Sequence, residues 1–154
     1  MRDFDEWLSK FRASISSYDY YIDFEKVVKN VEEIKVELNI LNSLIGSKNI
    51  EEEFEAIVKK YPETLKCIPL LLAVRGNEIY AQDEDGAFLY NFKTMNYDVE
   101  QYKVFMRKTG LFDMIANHLV NNLVDYALGI ETGLDSNGRK NRGGHQMEDL
   151  VEKY

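Results

Sequence analysis

Residues 24–41 read FEKVVKNVEEIKVELNIL. Phe24, Val27, Val28, Val31, Ile34, Leu38 and Leu41 recur at intervals of three and four, the spacing that places side chains on one face of an α-helix. The pattern predicts one long helix with an apolar stripe. Such a stripe must be buried against further elements, so the search moves outward from it.

Upstream, Phe4, Trp7, Leu8 and Phe11 repeat at helical spacing. Downstream, Gly46 is placed to terminate the long helix. Asn49 is an N-cap candidate with Glu51, Glu52 and Glu53 in the first turn, where acids suit the helix dipole. That next helix points Phe54, Ile57 and Val58 inward and stops at Tyr61-Pro62. Pro62 to Leu72 suits another short helix, with Pro62 and Glu63 at its start. Two aromatic-rich runs, 77–81 and 87–92, flank Asp83-Glu84-Asp85-Gly86 and predict a β-hairpin. Asp98 is placed to cap a helix through Val104 and Met106, Gly110 to break it, and Leu111 to Leu128 to form one amphipathic helix. The expected fold is predominantly α-helical with a small hairpin near 77–92. Residues 1–128 form the helical region, and 129–154 differ in kind.

At 154 residues and 45% hydrophobic, with 10 Tyr and 8 Phe, the chain is large enough to bury a core and too apolar for a disordered segment. The net charge of -8 repels nucleic acid on average. No secretory signal opens the sequence, and the longest apolar run, Ile68 to Val74, contains Pro69 and is far too short to cross a bilayer. Cys67 is the single cysteine; it cannot form an internal disulfide and reads as a buried, inert thiol. A cytoplasmic location is expected.

Charge is not evenly spread. From Gly133 to His145 the one acid, Asp135, is set against Arg139, Lys140 and Arg142, a local balance of +2 in an acidic protein. The segment 129–154 also holds five of the nine glycines, at 129, 133, 138, 143 and 144. Lys and Arg neutralise phosphates, and Asn137, Asn141, Arg139 and Arg142 have donor geometry suited to base edges. Glycine lets backbone approach a partner closely or adopt positive φ. This pattern predicts a basic, glycine-rich loop. A helix is expected to follow from Gly144, with Met147, Leu150 and Val151 on one face and Glu148 and Glu152 four residues apart. An acid near the start of such a helix suits a hard divalent cation beside a phosphodiester. Acids in a first turn also satisfy the dipole, and basic clusters are often solvated surface, so the residues alone leave both readings open.

The run TGLDSNGRKNRGGHQMEDLVEKY (132–154) closely resembles a signature of the DpnII/MboI family of type II restriction endonucleases, which recognise GATC. VEEIKVELNILNSLIGSKNIEEEF (31–54) and YPETLKCIPLLLAVR (61–75) are similar to the opening region of the same family. The resemblance implies Mg²⁺-dependent cleavage of double-stranded DNA by a larger α/β enzyme with a PD-(D/E)XK-like core. It implies a catalytic, metal-holding role for Glu148, the helix acid that precedes the strand acids of such cores. Asn137, Arg139, Lys140, Asn141, Arg142 and His145 become the implied DNA contacts or site-ordering groups. A departure accompanies it. No strand Asp followed by acid-X-Lys comes after Glu148, and Glu33-Ile34-Lys35 matches that tripeptide only within a helical pattern. The chain is therefore expected to be an N-terminal portion, inactive as a nuclease by itself. The alternative is a non-catalytic DNA-binding and dimerisation module. A homodimer is expected in either case, because palindromic targets are usually met by two-fold symmetry. A purely structural helical domain is the third reading.

Overall fold

A computed structural model describes residues 4–7 and 22–143, with backbone alone for 137–143. Residues 4–7 are helical; the expected continuation through Leu8 and Phe11 lies outside the described residues, as does the expected helix from Gly144. The elements are α1 (Phe24–Glu32), α2 (Lys35–Leu41), α3 (Ile50–Lys60), α4 (Ile68–Leu71), β1 (Glu78–Asp83), β2 (Gly86–Asn91), α5 (Val99–Lys108), α6 (Leu111–Ala116) and α7 (Leu123–Gly143), with 3₁₀ turns at Asn42–Leu44 and Pro62–Cys67.

The predicted single helix over 24–41 is two. At Ile34 the backbone leaves helical geometry (φ −120°, ψ 12°), and the Ile34 carbonyl then accepts from Leu38 to start α2. The bend has a packing cause. The first half of the stripe lies on α7, and the second half on α7 and on the 62–67 turn. A straight helix of this length would carry Leu38 and Leu41 away from one of these surfaces. Instead both are buried.

The helices expected after Asn49 and Asp98 form, but only one of the two caps does. Asn49 stands before α3, though its side chain makes no cap bond; the Asn49 N–H donates to Ser47 Oγ instead. Phe54 and Val58 are buried, and Phe54 meets the Phe112 ring edge-on at 5.2 Å. Asp98 caps α5 by accepting from the Gln101 N–H at 3.0 Å. Residues 62–71 form a 3₁₀ turn followed by one turn of α-helix, with Pro at the start of both pieces.

The hairpin occupies the expected place, with Asp83 opposite Gly86 and Tyr80 opposite Leu89. It packs through Tyr90 and Phe92, whose rings lie 4.7 Å and 5.1 Å from that of Phe105 on α5. Tyr102, fully buried, has both Asn91 O and Asn96 Oδ1 within reach of its one hydroxyl proton and accepts from the Asn96 N–H at 3.2 Å. At the tip, Lys108 Nζ reaches Asp83 at 2.6 Å and Asp85 at 3.0 Å.

Two further expectations are corrected. The predicted helix 111–128 stops at Ala116 and restarts at Leu123. His118 takes a left-handed conformation (φ 56°) that ends α6, and the Asn42 and Asn122 side chains accept the Leu123 and Val124 N–H groups to start α7. The predicted loop over 129–143 is helix as well, continuous with α7 across position 128. Ala127 is fully buried, and Leu128, Ile130 and Leu134 pack on the core; this tertiary burial outweighs the glycines' poor helix propensity. Gly129 and Gly133 face outward with open space around them, so nothing there forces a turn.

Candidate nucleic-acid interface

The basic stretch Arg139, Lys140 and Arg142, together with Asn137 and Asn141, stands on the last turns of α7. His145 and Glu148 lie outside the described residues. What places this end is decided further back along α7.

Two acids on α7 are turned inward. Glu131 is 5% exposed and Asp135 4%. Glu131 accepts from Asn30 Nδ2 at 3.3 Å and pairs with Arg75 Nη1 at 3.1 Å. Asp135 accepts from the Asp23 N–H at 2.9 Å, and its other oxygen lies 4.0 Å from Lys26 Nζ. Asp23 is the residue that caps α1, its side chain accepting from the Lys26 N–H. The α7 acids thus have N–H and cationic partners on α1 and on the turn after α4, as buried charges require. Asp135 is the one acid of the basic segment. Its engagement with α1 puts that negative charge on the inner face of the helix.

The turn carrying Arg75 is formed by an unusual helix end. After α4, the Ala73 N–H donates to Leu70 O and the Val74 N–H to Pro69 O, with Ala73 at φ 59°. This bond pair is the Schellman closure, here with alanine where glycine is usual. It directs Arg75 to Glu131 across an open cleft of about 240 Å³ lined by Asn30, Glu33, Lys66, Leu70 and Gly76 among others. Glu33 and Ile34 line this cleft in the turn between α1 and α2, Lys35 opens α2, and among the described residues no strand precedes the tripeptide.

Elsewhere several acids are paired with cations. Hydrogen bonds from Lys59 and then Lys103 hold the Glu55 carboxyl down at about 2. Lys108 lowers Asp83, and Arg107 lowers Glu51. Burial pushes the Cys67 thiol up to about 12, which leaves it protonated and unreactive. Among the described residues no three His, Cys, Asp or Glu side chains come together to hold a metal ion. No described helix is long and apolar enough to cross a membrane.

Sequence reasoning found the basic stretch and missed its supports. Asn30, Arg75 and Asp23 meet α7 from 101, 56 and 112 residues away. No local spacing carries such a signal; the one hint was Glu131, just before the basic segment, at helical spacing from Asp135 within it.

Known proteins resemble this chain along nearly all of it. The family described as DpnII restriction endonuclease matches residues 3–154. Type II restriction enzyme DpnII of Streptococcus pneumoniae is 52% identical over 154 residues, covering 99% of this chain and 54% of that enzyme. Type II restriction enzyme MjaIII of Methanocaldococcus jannaschii is 40% identical over 99% of this chain and 54% of its own length. Type II restriction enzyme MboI of Moraxella bovis is 34% identical, over 97% and 53%. The chain therefore spans about half the length of these relatives. No solved structure matches it.

Proposed function

The chain belongs to the DpnII restriction endonuclease family, and we propose that it is the DNA-handling portion of a type II site-specific deoxyribonuclease cutting duplex DNA at GATC with Mg²⁺. In this reading Arg139, Lys140 and Arg142 neutralise phosphates, while Asn137, Asn141 and His145 contact DNA or order the site. Glu148 holds the Mg²⁺ and is the catalytic acid of this portion; a PD-(D/E)XK-like core completes the enzyme. The 154 residues alone bind without cutting. Two copies meet the palindrome as a homodimer in the cytoplasm.

One observation carries the reading. A basic helix end is fixed by two buried acids, in a chain 52% identical to a type II restriction enzyme. Titration of the chain with a GATC-containing duplex and a scrambled duplex, in Ca²⁺ at two salt concentrations, tests it. Selective, salt-sensitive binding is expected. Equal affinity for both duplexes, or none for either, overturns the placement of recognition in this chain. Cutting of the GATC duplex by the chain in Mg²⁺ overturns the assignment of the remaining chemistry elsewhere.

A further inference from the structure

Helices α1 and α7 run antiparallel: Asp23 is level with Asp135, and Asn30, two turns along α1, is level with Glu131. The apolar part of this contact comes from side chains such as Phe24, Val27 and Leu128. Apolar ridges tolerate a slide or a rotation, because one aliphatic contact replaces another at little cost. Hydrogen bonds to buried carboxylates do not. Shifting α7 by one turn would break the bonds that both buried acids make to α1 and Arg75. The two acids grip α1 near its two ends, and Arg75 clasps Glu131 from a third element.

We propose that Glu131 and Asp135 are positioning residues. They set the axial register and rotation of α7 on α1, and through that helix the placement of residues 139–142 against DNA. The register role stands on the contacts above; the DNA role rests on the functional reading already given. Buried polar pairs of this kind add little net stability compared with apolar residues of similar size, and their best-attested use is to fix register.

The test separates register from stability and from DNA binding. The pair Glu131→Met with Asp135→Leu replaces both carboxylates by apolar side chains. The pair Glu131→Gln with Asp135→Asn keeps the accepting oxygens. Spin labels at the exposed positions Glu25 and Asp125 report the register of the two helices as a distance distribution. Fluorescence anisotropy with the GATC duplex in Ca²⁺ reports affinity. The Met/Leu pair is expected to melt cooperatively near the wild-type temperature, broaden the distribution and weaken DNA binding roughly tenfold. The Gln/Asn pair is expected to restore a narrow distribution and near wild-type affinity. If the Met/Leu pair does not fold, Asn30→Leu with Arg75→Met removes the donors to Glu131 and is read the same way. A narrow distribution with wild-type affinity in the folded apolar variant overturns the proposal. A broad distribution with unchanged affinity upholds the register role and overturns the DNA reading.

Discussion

Ala73 and His118 hold the same backbone position at two different helix ends. Each follows a helix by two residues, each is left-handed (φ 59° and 56°), and each closes the same bond pair: Ala73 N–H to Leu70 O with Val74 N–H to Pro69 O, and His118 N–H to Ile115 O with Leu119 N–H to Met114 O. The position favours glycine because a Cβ crowds the neighbouring carbonyl. Gly110 fills the equivalent place after α5 at φ 85°. The prediction is that Ala73→Gly raises unfolding free energy by ~0.5–1 kcal/mol, since relief of strain exceeds the added chain entropy. Urea denaturation at neutral pH checks it; a destabilised variant would mean the turn is not strained.

His118 has a second consequence. Its ring lies over Gly46, where an added Cβ would stand 2.2 Å from Nε2, and Gly46 itself is at φ 76°. Gly46→Ala is expected to cost about 1–3 kcal/mol from backbone strain and ring displacement. Part of that loss should vanish when His118→Ala is added, because the steric share is removed while the strained φ remains. A double-mutant cycle by chemical denaturation measures the coupling; strict additivity would exclude the contact.

How far the fold was legible follows from where each signal resides. The hairpin was legible because Asp85-Gly86 and the flanking aromatics act within a few residues, and α3 and α5 because their boundary residues, Asn49, Pro62 and Asp98, are local. The break at Ile34 was not, because it is imposed by α7 and the 62–67 turn, distant in sequence. His118 gave no warning, since a left-handed histidine has no compositional signature. In the site, charge balance marked 139–142 as basic, while the glycines suggested a loop that the burial of Ala127 and Leu134 overrode.

Tyr102 ties the hairpin to α5 through its hydroxyl. Tyr102→Phe leaves the Asn96 N–H without its acceptor and removes the one proton shared by the Asn91 carbonyl and the Asn96 side chain, in a place where the ring itself is fully buried. A loss of about 1–3 kcal/mol is expected, without change in helix content. Thermal melting followed by circular dichroism reads it, and a change below about 0.3 kcal/mol would show that water replaces the bonds.

Stability should fall at both ends of the pH scale, for opposite reasons. Glu51, Glu55 and Asp83 have folded pKa values below their ordinary 4.5, 4.5 and 3.8. Their ion pairs contribute in full above those ordinary values, and the contribution is lost as pH drops, down to about 2 for Glu55. The Cys67 thiol is shifted the other way, from 9.0 to about 12, so its contribution is full below 9 and is lost as pH rises toward 12. Denaturant midpoints between pH 2 and 11 check the shape. Fast labelling of Cys67 by a thiol reagent at pH 8 in the native protein would contradict the burial.

On the DNA side, Arg139→Ala and Arg142→Ala are each expected to weaken duplex binding and reduce the slope of log affinity against log salt by about 1. Gly133→Ala separates two roles of glycine: its Cβ would meet open space, so helix stability should rise by up to ~1 kcal/mol. Gly133→Ala protein that is more stable but binds duplex less tightly would place DNA backbone beside that position. Binding that is unchanged would confine the contact to positions farther along the helix.

Beyond Asp135, the α7 backbone continues to Gly143, a further rise of about 12 Å. The segment from Asp135 to Gly143 acts as a lever whose fulcrum is the Asp135 carboxylate at the start of α1, backed one turn earlier by Glu131. A tilt of about 5° there moves the tip by roughly 1 Å, comparable to the tolerance of a positioned contact at a reacting phosphate. Substitutions at Asn30 or Arg75, whose side chains bond Glu131, are therefore expected to shift residues 139–142 by an angular error amplified by length.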